Sequence, residues 1–237
     1  MDLAVALLAA SLLVATGAEA YTVASPVSQG CHERITSQAL RTVRLELAEA
    51  APVAASRDEQ ALIDDLQFVP EPDMRDLGAA TLLVGVRDND LQGHSSIDLT
   101  RLTLVHGDPA AQREHCLRDA DQGEPDGSRA ATAACRAYIL ERLAAAFAGL
   151  DAAGRPDPER RTVLPLFLSR RHRVDARLPT FQLGLGQALH AVEDSFSHAF
   201  RTPDQLGITT ALDWVHSANG VRDEAAWGPA HESELDR

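Results

Sequence analysis

The stretch Leu178–Phe200, LPTFQLGLGQALHAVEDSFSHAF, decides how this chain is read. It is the longest uninterrupted helix candidate, and His190, Asp194 and His198 recur in it every four residues. On a helix such neighbours stack along one face, about 6 Å apart per step. Leu185, Leu189, Val192 and Phe196 fall on the opposite face. An ordinary amphipathic helix with this pattern would pack its apolar stripe and show His and Asp to water. The charge count argues otherwise. Of these 23 residues only Glu193 and Asp194 are formally charged, where about five or six are expected at average composition. The polar face carries Gln187 and the small residues Gly184, Gly186, Ala191 and Ser197 beside the His and Asp. That suits a helix buried on both sides, with its ligands turned toward an interior site. A buried carboxylate is costly unless a cation or its equivalent compensates it. Imidazole nitrogens and carboxylate oxygens are what zinc takes in hydrolytic sites.

The segments around this helix also read as helical. His32–Ala50 places Ile35, Ala39, Leu40, Val43 and Leu47 at helical spacing. Arg57–Phe68 repeats the pattern with Leu62, Ile63 and Leu66, Asp73–Val86 continues it, and Ala130–Leu150 is long and alanine-rich. Breakers separate them: Pro52, Pro70 and Pro72, the Gly107-Asp108-Pro109 turn, and Gly154 to Pro158. No alternating strand pattern stands out, and there is no internal repeat. The expectation is an all-α fold, a multi-helix bundle forming one domain over residues 21–237.

Residues 1–20 are expected to lie outside that domain. Leu3 to Ala15 is almost wholly apolar and is followed by Thr16-Gly17-Ala18-Glu19-Ala20. This is the pattern of a secretory signal peptide cleaved after Ala20, although Asp2 stands where a basic residue is usual. Cleavage would leave Tyr21 as the N-terminus of a secreted or periplasmic protein. Export gives the cysteines meaning. There are three, Cys31, Cys116 and Cys135, so at least one is unpaired within the chain. Cys116 and Cys135 flank an acidic loop and could close a ring worth about 3 kcal/mol. Sequence alone leaves the pairing open.

Composition excludes several classes. The apolar fraction of 45% supports a real core. Thirty-five acidic residues against 22 basic ones, every one of them arginine, give a net charge of −13. Such a balance disfavours binding nucleic acid by bulk charge, and 4% aromatics disfavours a base-stacking platform.

Outside the 190–198 segment, further residues have the types a metal site needs. His32 begins the first helix; Asp88 and Asp90 are expected just past the third; His115 lies in Glu114-His115-Cys116. His231 and Asp236 lie near the end. Singly, each would pass for a surface group. His94, His106 and His172 read as structural or surface residues. His172 sits in an arginine run (Arg170, Arg171, Arg173), a solvated basic patch that could alternatively meet anionic lipid head groups.

In order along the chain, His32, Asp90, His115, His190-x3-Asp194, His198 and His231 resemble the bacterial zinc-dependent phospholipases C. More distantly they are similar to the fungal single-strand nucleases of the same helical fold. The strongest part runs from Leu183-Gly184-Leu185 through Leu189-His190 and Asp194 to His198. Gly85 with Asp90, then His115-x3-Asp119 with Gly123, adds to it. The resemblance implies two or three zinc ions. His190 would share the first with Asp90 and His115, and Asp194 would bridge it to a second also held by His32. His198 would hold another with His231 and Asp236, or with His216 in place of His231. It also offers a Cys31–Cys116 pairing, since each of these cysteines adjoins a proposed ligand.

The sequence departs from the family in three places. Tyr21 stands where the family has a metal-binding N-terminal tryptophan. The gap from Asp194 to His198 is short. The final HxxxE is not intact, because Gly220 lies four residues after His216 and Leu235 four after His231. The implied activity is phosphodiester hydrolysis by a zinc-activated water with Asp90 as general base. The expected substrate is a phospholipid met at a membrane surface, with nucleic acid less favoured and no protein partner evident. A non-catalytic metal-binding protein is the remaining class.

Overall fold

Residues 24–25, 30–47 and 50–213 are described in a computed structural model of the chain. The predicted signal segment lies outside them. Six helices are present among these residues: α1 (Cys31–Glu46), α2 (Arg57–Ile63), α3 (Leu77–Leu91), α4 (Leu99–Gly107), α5 (Asp126–Phe147) and α6 (Thr180–Ser197). Two antiparallel hairpins complete the fold, β1 (Arg161–Leu168) with β2 (His172–Pro179), and β3 (Ala199–Arg201) with β4 (Ile208–Ala211). The all-α expectation is therefore corrected to a mixed α/β fold. No helix among the described residues is long and apolar enough to cross a membrane.

The first hairpin has a readable cause. In β2, Val174, Ala176 and Leu178 alternate with Arg173, Asp175 and Arg177, and β1 alternates Leu164, Leu166 and Leu168 with Val163, Pro165 and Phe167. The even-numbered apolar set joins the main core with Ile63, Leu83 and Leu183. Two things hide the strands in sequence. Pro165 sits inside one of them, and the turn has arginines where Gly or Asn would announce it. The left-handed position is taken by His172 (φ 56°). The buried Asp65 carboxylate secures the turn, accepting from Arg170 N at 2.8 Å and Arg171 Nε at 2.8 Å. Two of the three arginines in the supposed solvated patch are thus tied to Asp65.

The centre of the fold is the crossing of α3 and α6. Helix α3 begins at Asp76, whose side chain accepts from Ala79 N and from Arg44. It is buried almost all round, from Leu77 to Asp90, as a core helix with no polar face must be. It runs five residues past its predicted end, so Asp88 and Asp90 are helical. At the crossing glycine is required. A Cβ on Gly186 would lie 2.3 Å from Leu82 O, and one on Gly85 would lie 2.4 Å from Leu183 O. Gly184 makes a similar approach to α5, where its Cβ would meet Ala146 N at 2.8 Å. Helix α4 was not foreseen, and α6 starts two residues later than predicted because Pro179 ends β2.

Helices α1 and α6 are turned the opposite way from a simple amphipathic reading. In α1 the buried residues are His32, Glu33, Thr36 and Ser37, while Ile35, Val43 and, just past its end, Leu47 are exposed. In α6, His190 and Asp194 are buried, while Val192 and Phe196 are 37% and 56% exposed. The expected core face of α1 is corrected accordingly. The outer face of α6 is open, not buried as the low charge suggested.

Candidate metal centre

The inward polar faces of α1 and α6 meet Asp90 from α3 and His115 from the turn after a short 3₁₀ segment, Gln112–Glu114. His115 is placed by its neighbour. Cys116 adopts a left-handed φ of 53° and lies at disulfide distance from Cys135, with their Cα atoms 4.8 Å apart. The pairing left open by sequence is thus Cys116 with Cys135. The Cys31–Cys116 alternative is not formed, and Cys31 is a free thiol.

Four donor atoms surround one point. His115 Nδ1 and His190 Nε2 are 3.0 Å apart, and each is 2.9 Å from Asp194 Oδ2. Asp90 Oδ1 lies 3.8 Å from both nitrogens. Tetrahedral zinc with ligand bonds of about 2.0–2.1 Å has ligand–ligand edges of about 3.3–3.4 Å, and these edges fall on either side of that length. The triangle of 2.9–3.0 Å sides joins its three atoms at hydrogen-bond distance and presents them to one point where a cation could be held.

A second position adjoins the first. Asp194 Oδ1 is 3.2 Å from His32 Nε2 and 3.8 Å from His198 Nε2. It is buried and has no hydrogen-bond partner. Asp194 therefore offers one oxygen to each position. Two imidazoles are oriented by an outer partner. His32 Nδ1 faces Glu193 Oε2 at 2.7 Å, with Glu193 also accepting from Thr36, and His198 Nδ1 donates to His115 O at 3.0 Å. Each bond leaves Nε2 aimed at Asp194, the carboxylate–histidine arrangement common around bound metals. His115 Nε2 and His190 Nδ1, by contrast, are buried without a partner.

The buried carboxylates of the centre are compensated by imidazoles. The ion-pair partners of Asp90, Asp194 and Glu193 are imidazoles. Burial opposes ionisation of Asp90 and Asp194, yet the surrounding imidazoles, His190 foremost, hold both carboxyls below the usual range. Burial likewise pulls His32 down, but the Asp194 and Glu193 carboxylates outweigh it and raise the ring to about 11. His115 and His198 are pushed down by burial, toward the neutral form that binds metal. The donor set fits a divalent ion.

Of the residues expected in the site, His32, Asp90, His115, His190, Asp194 and His198 converge here. His231, Asp236 and His216 lie outside the described residues, as does Tyr21. Asp88 and Asp119 point elsewhere, Asp88 accepting from Gln187 and Asp119 from Gln122. Sequence reasoning missed Glu193, treated only as a charge, and His106, treated as structural. His106 Nε2 lies 2.9 Å from Asp90 Oδ1. No protein-family model, curated protein or solved structure matches this chain.

Proposed function

We propose that this chain is a secreted zinc-dependent phosphodiester hydrolase of the phospholipase C kind. The observation that carries the reading is the Asp194 carboxylate, with Oδ2 among His115, His190 and Asp90 and Oδ1 facing His32 and His198. The bridge from the first position to one faced by His32 is the order the family resemblance implies, whereas the resemblance gives His198 to a further zinc. Zinc at such a pair of positions supplies an activated water at neutral pH and offsets charge on a phosphodiester's non-bridging oxygens. The chain's own residues do the rest. His115, His190, Asp194 and Asp90 hold the first position, and Asp90 also serves as the proton acceptor there. Glu193 and the His115 carbonyl fix the rings of His32 and His198. The second position takes three protein donors among the described residues, and an incomplete protein shell is what a catalytic zinc needs.

A non-catalytic metal site is the second reading, favoured by the complete burial of His115 and His190. Metal analysis of the purified protein, followed by release of phosphocholine from lecithin vesicles and digestion of single-stranded DNA, separates the cases. Two or three zinc ions with phosphocholine release support the proposal. DNA digestion alone makes the chain a nuclease. Full metal with neither activity favours the second reading, and a protein that takes up no zinc ends both.

A further inference from the structure

His106 is the one imidazole touching the centre that the family resemblance does not account for. It sits on the last turn of α4, and its Nδ1 is 2.7 Å from Leu102 O. A carbonyl can only accept, so Nδ1 carries the proton and the lone pair of the neutral ring is on Nε2. That lone pair is aimed at another acceptor, Asp90 Oδ1, 2.9 Å away. The ring of His106 also stacks on that of His115, with centroids 4.8 Å apart. Asp90, His106 and His115 each place one donor atom within 4.8 Å of the others. The 2.9 Å edge equals the His115–Asp194 and His190–Asp194 edges of the first position.

We propose that His106 is an additional ligand on the Asp90 side, so that the first position draws on five protein donors: Asp90, His106, His115, His190 and Asp194. This rests on the reading of the other four as a cation site. The competing arrangement is a protonated His106 that only holds Asp90 in place. The two differ in what the bound ion sees. Helix α4 would then be fastened to the core through a metal bond as well as through its own packing.

Cobalt(II) titrated into the metal-free full chain reports both affinity and coordination, because four-coordinate cobalt absorbs visible light several-fold more strongly than five-coordinate cobalt. The wild type is expected to give a weak band for its first equivalent. His106→Ala is expected to change that band and to lower cobalt affinity by at least the roughly 10–100-fold that loss of a partner orienting a ligand costs. His106→Asn serves as the second variant should the first not fold. An intense four-coordinate band in the wild type overturns the proposal without any variant. An affinity loss with an unchanged spectrum assigns His106 to holding Asp90 and overturns it as a ligand. Unchanged affinity and spectrum also overturn it while leaving the centre intact. A wild type that binds no cobalt overturns the centre as well.

Discussion

Gly186→Ala tests whether the α3–α6 crossing is what brings Asp90 to the helix that carries His190 and Asp194. The added Cβ would lie 2.3 Å from Leu82 O, 2.8 Å from Val86 N and 2.9 Å from Gly85 Cα. All three are backbone atoms, so no side chain can swing away. Restoring an ordinary carbon–oxygen separation of about 3.3 Å requires the helices to part by about 1 Å. Overpacking of this kind costs about 1–3 kcal/mol, and the rigid neighbours place it toward the upper end. For a chain of this size each kcal/mol lowers Tm by about 2–4 °C. The same displacement lengthens the 3.8 Å edge between Asp90 Oδ1 and His190 Nε2, which already exceeds the roughly 3.4 Å edge of a tetrahedral zinc, and so weakens zinc binding. The assay is thermal unfolding of the metal-free protein, paired with calorimetric zinc binding. Gly123→Ala, where a Cβ meets nothing within 4 Å, is the control. If Gly186→Ala melts like the control and binds zinc as tightly, the crossing does not position the site.

Three other outcomes are expected. Asp194→Asn should empty both cation positions, whereas His198→Ala should empty at most one; equal metal content in the two variants would contradict the bridging role. Cys135→Ser opens a loop whose ends are 19 residues apart, costing about 3 kcal/mol by chain entropy. It should also loosen His115 and weaken zinc binding, so unfolding by denaturant is measured beside metal affinity, with wild type in reductant as the matching case. The Asp65 carboxyl is lowered to about 2 by hydrogen bonds from Arg171 and Arg170, against the opposing effect of burial. A carboxyl depressed in the folded state stabilises fully above its unfolded value near 3.8 and loses that contribution as pH falls toward 2. Both arginines are exposed, so screening limits the effect to on the order of 1 kcal/mol. Asp65→Asn should flatten the acid limb of stability between pH 4 and 2, and an unchanged limb would refute the assignment.

Much of the site was legible because its ligands lie on regular spacings. The His190, Asp194 and His198 repeat, in a stretch nearly without other charges, pointed to an interior polar face. The His106 and Glu193 roles were not legible. His106 precedes an ordinary Gly-Asp-Pro turn, and Glu193 looks like any solvated acid until His32 and Thr36 approach it from another helix. The β1–β2 hairpin was missed because its turn lacks glycine and its arginines resemble a surface patch.

What the sequence determined by itself is five of the six helical segments and the residue types of the centre. These follow from periodicity and ligand chemistry, both local properties. That the polar face of α1 turns inward, and that the apolar face of α6 stays open, was decided by tertiary structure alone. Their apolar stripes would bury well, yet Ile35, Val192 and Phe196 are left exposed while His32, His190 and Asp194 go inside. The reason is mutual compensation: a buried carboxylate is too costly alone and tolerable among partners from other helices. No single segment of sequence contains that set.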